Sequence, residues 1–202
     1  MKKIIIALGI LILTGCRNST SQNKPLEFND EDFKKVNVDF LAQEILIPKS
    51  YVETTPDEIR EKLLEIKRET KFVNAVKEGI DKLKLMPTEF VIFADKENIE
   101  NCFWIQLGEY VDFDKSIASQ NIGMLEKQVG QEWSSLDLNY ERLEKRYLKT
   151  GNSKIIKVKY KQEYDGQEKY QTQYIITKNY KTYGIVVSNY ENIDFEEIVK
   201  RL

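Results

Sequence analysis

Residues 154–188 read KIIKVKYKQEYDGQEKYQTQYIITKNYKTYGIVVS. In the first part of this stretch Ile156, Val158 and Tyr160 alternate with Lys157, Lys159 and Lys161. Successive side chains in a strand point to opposite faces, so this pattern predicts a strand over 154–164. Asp165-Gly166 predicts a two-residue hairpin turn, because both central positions of a type I′ turn need positive φ. Residues 170–177 then return antiparallel, residues 178–181 form the next turn, and 183–188 form a third strand. Upstream, 143–148 adds a fourth strand, joined by the turn Thr150-Gly151-Asn152-Ser153. Downstream, Asp194 opens a short terminal helix with Phe195, Ile198, Val199 and Leu202 facing inward.

Working back from this meander, Thr55-Pro56-Asp57-Glu58 is a capping box with proline at the first helical position. Ile59, Leu63, Ile66, Thr70, Val73, Val76, Ile80 and Leu83 follow at spacings of three and four, the mark of a long amphipathic helix that Pro87 stops. Adjacent apolar pairs widen its stripe beyond a coiled-coil seam, so it is expected to pack on a sheet. Residues 40–47 read as a strand before it, and 89–94 and 102–110 as strands after it. Ile117, Met124, Leu125 and Val129 predict a second helix, with Ser116 as cap and Gly130 at its end. Asn29-Asp30-Glu31-Asp32 is read as a short capped helix or an acidic turn.

The fold class is therefore α+β: an antiparallel β-sheet with a long helix, a second helix and a C-terminal helix packed on it, a helix–sheet–helix sandwich. The two long hairpin strands of 154–177, Tyr183-Gly184-Ile185-Val186-Val187-Ser188 and the helix opened by Asp194-Phe195 resemble the PsbP/Mog1-like fold. That resemblance implies a binding or assembly factor, and it carries over no functional residue. A cystatin-like α+β domain is the competing arrangement.

The first residues have the layout of a secretory leader: Lys2 and Lys3, then the apolar run 4–13, then small residues. The run is shorter than the ~20 residues a spanning helix needs. Leu13-Thr14-Gly15-Cys16 resembles the lipobox of bacterial lipoproteins, in which the cysteine sulfur is lipidated after cleavage. Residues 1–15 are thus expected to be a signal peptide, 16–27 the lipidated cysteine and a polar tether, and 28–202 a single globular domain. The resemblance implies anchoring in the bilayer, at the cell or outer membrane, through palmitate-type acyl chains on Cys16, with the domain outside the cytoplasm. Two or more chains hold stably, since each buried methylene contributes ~0.8 kcal/mol.

Composition narrows the chemistry. Without residues 1–15 the chain holds 29 basic and 33 acidic residues, a net charge of −4. No nucleic-acid partner is expected of such a surface. With Cys16 lipidated, Cys102 has no partner for a disulfide, and its apolar setting predicts a buried structural thiol. There is no histidine, which removes Ser-His, Cys-His and His-metal arrangements. No phosphate loop or dinucleotide fingerprint is present. No catalytic residue, metal or cofactor is expected, and the domain is not read as an enzyme.

Three acidic or aromatic groups remain as candidates. Asp112 and Asp114 flank Phe113 and would share a face if extended; Asp95, Glu97 and Glu100 crowd one loop, without EF-hand spacing. Both sets read as solvated loop charges. Nine of eleven tyrosines fall between 140 and 190. Among them Tyr164, Tyr170 and Tyr180 lie nearest the turns and form the expected ligand surface, since Tyr supplies rigid amphipathic contact. The sequence thus predicts a non-enzymatic binding or assembly module with a protein or envelope-component partner. The alternatives are an immunity protein against an exported toxin and a carboxylate-dependent hydrolase of envelope polymers.

Overall fold

A computed structural model describes residues 30–65, 78–82, 84–85, 87–135, 138–164 and 167–202. Seven strands form the main sheet: β3 (Tyr51–Thr54), β4 (Phe90–Asp95), β5 (Cys102–Gly108), β6 (Asn139–Thr150), β7 (Ser153–Tyr164), β8 (Gln167–Lys178) and β9 (Lys181–Asn189). Their order is β3-β4-β5-β9-β8-β7-β6, and every pairing is antiparallel. A separate hairpin, β1 (Phe33–Val38) with β2 (Gln43–Pro48), follows a 3-10 turn at Asp30–Asp32. The helices are α1 (Pro56–Glu65), α2 (Lys115–Ser135) and α3 (Glu196–Lys200), and residues 78–82 are helical. Among the described residues no helix is long and apolar enough to cross a membrane.

The alternation in 154–164 places two cores on the two faces of one sheet. Ile156, Val158 and Tyr160 join Ile92, Trp104 and Val186 beneath α1 and α2. Ile155, Tyr174, Ile176, Phe103 and Val187 face the other way, under the β1–β2 hairpin and α3. β5 sits inside the sheet and is covered on both faces, so Cys102-Phe103-Trp104-Ile105 is buried without a break. The expected helix–sheet–helix arrangement is the one found. Its second layer is α3 together with the hairpin, which the sequence reading did not contain.

The turns follow their residue types. Asn179 and Tyr180 both take positive φ, 48° and 60°, as a type I′ turn requires. Gly151 takes φ +53° between the paired ends Thr150 and Ser153. Asp165-Gly166 lies outside the described residues, though Tyr164 and Gln167 on either side of it pair. The capping box is closed: Glu58 N donates to Thr55 Oγ1 at 3.2 Å, and Thr55 N to Glu58 Oε2 at 2.7 Å.

Several boundaries differ from expectation. The single strand at 40–47 is instead a 3-10 turn, Asp39–Leu41, then β2, with Ala42 left-handed at φ 54°. β1 precedes it and pairs with it as a short hairpin, with Lys35 and Asn37 exposed and Phe33 and Val38 buried. The middle of the long helix, including Ile66, Thr70, Val73 and Val76, lies outside the described residues; Ile59 and Ile80 are buried as its pattern requires. α2 is capped by Asp114, whose Oδ1 accepts Ile117 N at 2.9 Å, and not by Ser116. It runs through Gly130, where a Cβ would come within 2.8 Å of the Tyr140 hydroxyl. The fourth meander strand extends to 139–150. It is an exposed edge, bulged between Arg142 and Glu144 and lined with charge, which discourages further strand pairing.

Candidate binding site

The three tyrosines do not make one surface. Tyr180 is 85% exposed at the β8–β9 turn and stacks obliquely on Tyr110, ring centroids 5.9 Å apart. Tyr170 is only 6% exposed, contrary to expectation, and its hydroxyl donates to Glu168 Oε2 at 3.0 Å. It pairs with Asn189 inside the sheet, so its nearness to the turn does not expose it. Tyr170 and Tyr180 stand at opposite ends of β8, roughly 30 Å apart at ~3.3 Å per residue. The side chain of Tyr164 lies outside the described residues. Cys102 is buried, and burial pushes its thiol up to about 11, the structural role expected of it.

The acidic groups also separate. Asp112 pairs with Lys154 while Asp114 caps α2, so the two carboxylates do not converge. Asp95 accepts from Ser50 Oγ at 2.9 Å and from Glu97 N at 2.8 Å. Glu100 turns inward, where its Oε2 accepts the Tyr190 hydroxyl at 2.7 Å. Among the described residues no group of three or more His, Cys, Asp or Glu side chains is placed to hold a metal ion.

What the fold does build is a pocket of about 350 Å³ at one end of the sheet. It opens where the β1–β2 hairpin, the β3–β4 corner and the tail after β9 meet. Lys49 N bonds Asp32 O at 2.9 Å and closes the hairpin's open end against it. Tyr51 stands opposite Asp95 in the β3–β4 register. The inner wall is Phe33, Tyr51, Asn189 and Phe195, all buried; Asp32, Ser50 and Glu191 form an exposed rim, with Asp95 and Asn101 between. Tyr51 donates to Asn189 Oδ1 at 2.5 Å. Burial, and after it electrostatic repulsion from Cys102, once ionised, and from Asp95 and Glu191, hold the Tyr51 phenol well above its ordinary range, so it stays a donor. Among the described residues the lining has three carboxylates and no lysine or arginine. Its residues come from five separated segments, and only Asp95 was a candidate on sequence. The others carry no local motif, because the pocket is made by the hairpin closing on the sheet end.

Two polar clusters lie inside the layers. Beneath α3, Lys157 contacts Glu144 Oε2 at 2.8 Å, Asp194 Oδ2 at 2.7 Å and Glu196 Oε2 at 2.9 Å. Arg146 joins both glutamates, and Tyr174 donates to Asp194 Oδ1 at 3.2 Å. On the helix-covered face, near the pocket end, Lys169 lies over the Tyr190 ring, 5.2 Å from its centroid, with Glu100 and Cys102 beside it.

That same face carries buried polar atoms that have no hydrogen-bond partner among the described residues: Ser188 Oγ, Gln173 Oε1, Gln162 Oε1 and the Tyr160 hydroxyl. Ser188 stands directly opposite Cys102 and Gln171. Leaving such an atom unpaired costs about 1–3 kcal/mol, and removing the atom recovers part of that. Ser188→Ala is therefore expected to raise the urea midpoint, by the equivalent of about 0.5–1 kcal/mol. A lower midpoint would mean that Ser188 Oγ holds a buried water or other partner.

No family model and no curated protein matches the chain. Among solved structures it is similar to the solution structure of cyanobacterial PsbP (CyanoP) from Synechocystis sp. PCC 6803. The match covers 93% of this chain and 91% of that one, with a TM-score of 0.51 at 12% identity. The domain thus has a PsbP-like fold; of the two folds weighed on sequence, this similarity favours that one over the cystatin-like.

Proposed function

We propose that this protein is an exported, lipid-anchored module that binds a partner without chemically transforming it. The observation that carries the reading is the open 350 Å³ pocket, lined by carboxylates, amides and hydroxyls. Pockets of this size suit small or partly inserted ligands. Among the described residues its lining contains no cysteine, lysine or histidine that could serve as an activated nucleophile or a near-neutral base. The PsbP-like fold is compatible with a binding or assembly role. The leader with Leu13-Thr14-Gly15-Cys16 supports anchoring through Cys16, with the tether spacing the domain from the bilayer.

Two measurements test the reading. Cys16→Ala is expected to move the protein from the membrane fraction to the soluble fraction; unchanged membrane association would sink the anchor. Purified protein is expected to leave envelope polymers intact. Turnover that disappears in Asp95→Ala would make the pocket an active site and overturn the binding role.

A further inference from the structure

Among the described residues the pocket's charge is uncompensated from within. Among the described residues Asp32, Asp95 and Glu191 form no ion pair, whereas Asp112, Asp194, Glu168 and Glu196 are matched by Lys154, Lys157, Lys161 and Arg146. Asp95 is held in place by Ser50 Oγ and the Glu97 amide, both neutral donors, so its orientation is fixed and its charge is left standing.

A second observation comes from the inner wall. Asn189 is 3% exposed, and its Oδ1 is taken up by the Tyr51 hydroxyl at 2.5 Å. That bond turns the amide nitrogen the other way. Among the described residues Nδ2 has no acceptor, on a side chain that lines the pocket. A buried amide donor held in that position calls for an acceptor. The pocket therefore offers negative charge at its rim and one donor at its wall, over the apolar surface of Phe33, Tyr51 and Phe195.

We propose that this pocket takes a primary ammonium carried beside a carbonyl acceptor, as on a lysine-bearing segment of a partner polypeptide. The ammonium meets Asp95 and Glu191, the carbonyl accepts from Asn189 Nδ2, and the aliphatic stem lies on the aromatic wall, where long basic side chains bury their methylenes. This deepens the binding role proposed above and rests on it. Free polyamines share the ammonium but lack the carbonyl.

The test is calorimetric titration of the full-length protein, at low and at physiological ionic strength, with three probes. These are an end-blocked Ala-Lys-Ala tripeptide, the same peptide acetylated on its lysine, and spermidine. The unmodified peptide is expected to bind and to weaken severalfold at the higher salt, as exposed charge pairs do. Acetylation and the double variant Asp95→Asn/Glu191→Gln are each expected to weaken it at least tenfold, and Asn189→Ala about fivefold. Asp95→Asn keeps one oxygen to accept from the Glu97 amide and turns a nitrogen to Ser50 Oγ, which can accept from it, and Glu191→Gln alone, at an exposed position, guards against a folding defect. No binding of the unmodified peptide, or equal binding after acetylation, would overturn the proposal. Spermidine binding as tightly as the peptide would overturn the assignment to a polypeptide. Soluble release of Cys16→Ala and absence of turnover are read separately, so the binding role can stand while this ligand assignment fails.

Discussion

Replacing Lys157 by Met is expected to destabilise the domain by roughly 3–5 kcal/mol, the usual cost of removing one partner from a buried ionic cluster. Lys157 is 0% exposed and its ammonium touches Glu144, Asp194 and Glu196 within 3 Å. Met matches the stem in length and supplies no charge, so three carboxylates lose their central cation, one of them on the buried Glu196. Arg146 and Lys200 still reach Glu196, which keeps the loss below complete collapse. A domain of this size has a net stability of about 5–15 kcal/mol, so the variant spends a large part of it. The expected readout is a much lower urea midpoint with an unchanged slope; a change worth less than about 1 kcal/mol would mean the cluster does not hold α3 to the sheet.

The sign of the pH dependence follows from the same contacts. Burial alone would raise the Asp194 and Glu196 carboxyls, but Lys157 and their other partners outweigh it and hold both below their ordinary values of 3.8 and 4.5. Their contribution is therefore present above those values and lost as pH falls through the lowered ones. Burial alone would lower Lys157, but the three carboxylates outweigh it and raise the amine above 10.5. Its contribution is present below 10.5 and lost as pH rises through the raised value. The gap between wild type and Lys157→Met should be widest between about pH 5 and 10 and close at both ends.

Lys157 also marks how far the sequence could be read. The alternation in 154–164 placed Ile156, Val158 and Tyr160 on one face and Lys157, Lys159 and Lys161 on the other, and the register bears this out. Period two fixes which residues share a face, but not what covers the face. Three lysines in alternation look like a solvated side; the hairpin and α3 cover most of it, and Lys157 and Lys159 end up buried. The capping box and the Asn179-Tyr180 turn were legible because each is decided within four residues. The hairpin strand β1 was not, because KKVNV carries too few apolar residues to stand out. The pocket was not either. Asp95, Asn189 and Glu191 come together through sheet order β3-β4-β5-β9 and Asp32 through the separate β1–β2 hairpin, and both are set by tertiary packing, not by local pattern.

Lys169→Met is expected to be the second large loss, near 3 kcal/mol at pH 8, and unlike the first it should be repaired by a second substitution. Lys169 is 3% exposed; burial pulls its amine down to about 8, with Glu100 and Cys102 opposing the fall. A lysine lowered in the folded state costs stability while it is protonated. That cost is full below about 8 and fades as pH rises toward the ordinary 10.5. Deleting the amine removes this cost, but it also removes the charge that offsets Glu100. Burial already raises the Glu100 carboxyl, and Lys169 and the Tyr190 hydroxyl are what hold it down. With Oε1 otherwise unpartnered and the residue 3% exposed, the carboxylate loss dominates. A carboxyl raised in the folded state costs stability only while ionised, so the Lys169→Met deficit should shrink as pH falls through the Glu100 pKa. Glu100→Gln keeps an acceptor for Tyr190 and needs no counter-charge; added to Lys169→Met it is expected to recover more than half of the loss. Urea midpoints of the four proteins at pH 5 and pH 8 close the cycle. Simple additivity of the two substitutions at pH 8 would show that the two charges do not sense each other, and would remove the electrostatic account of this end of the sheet.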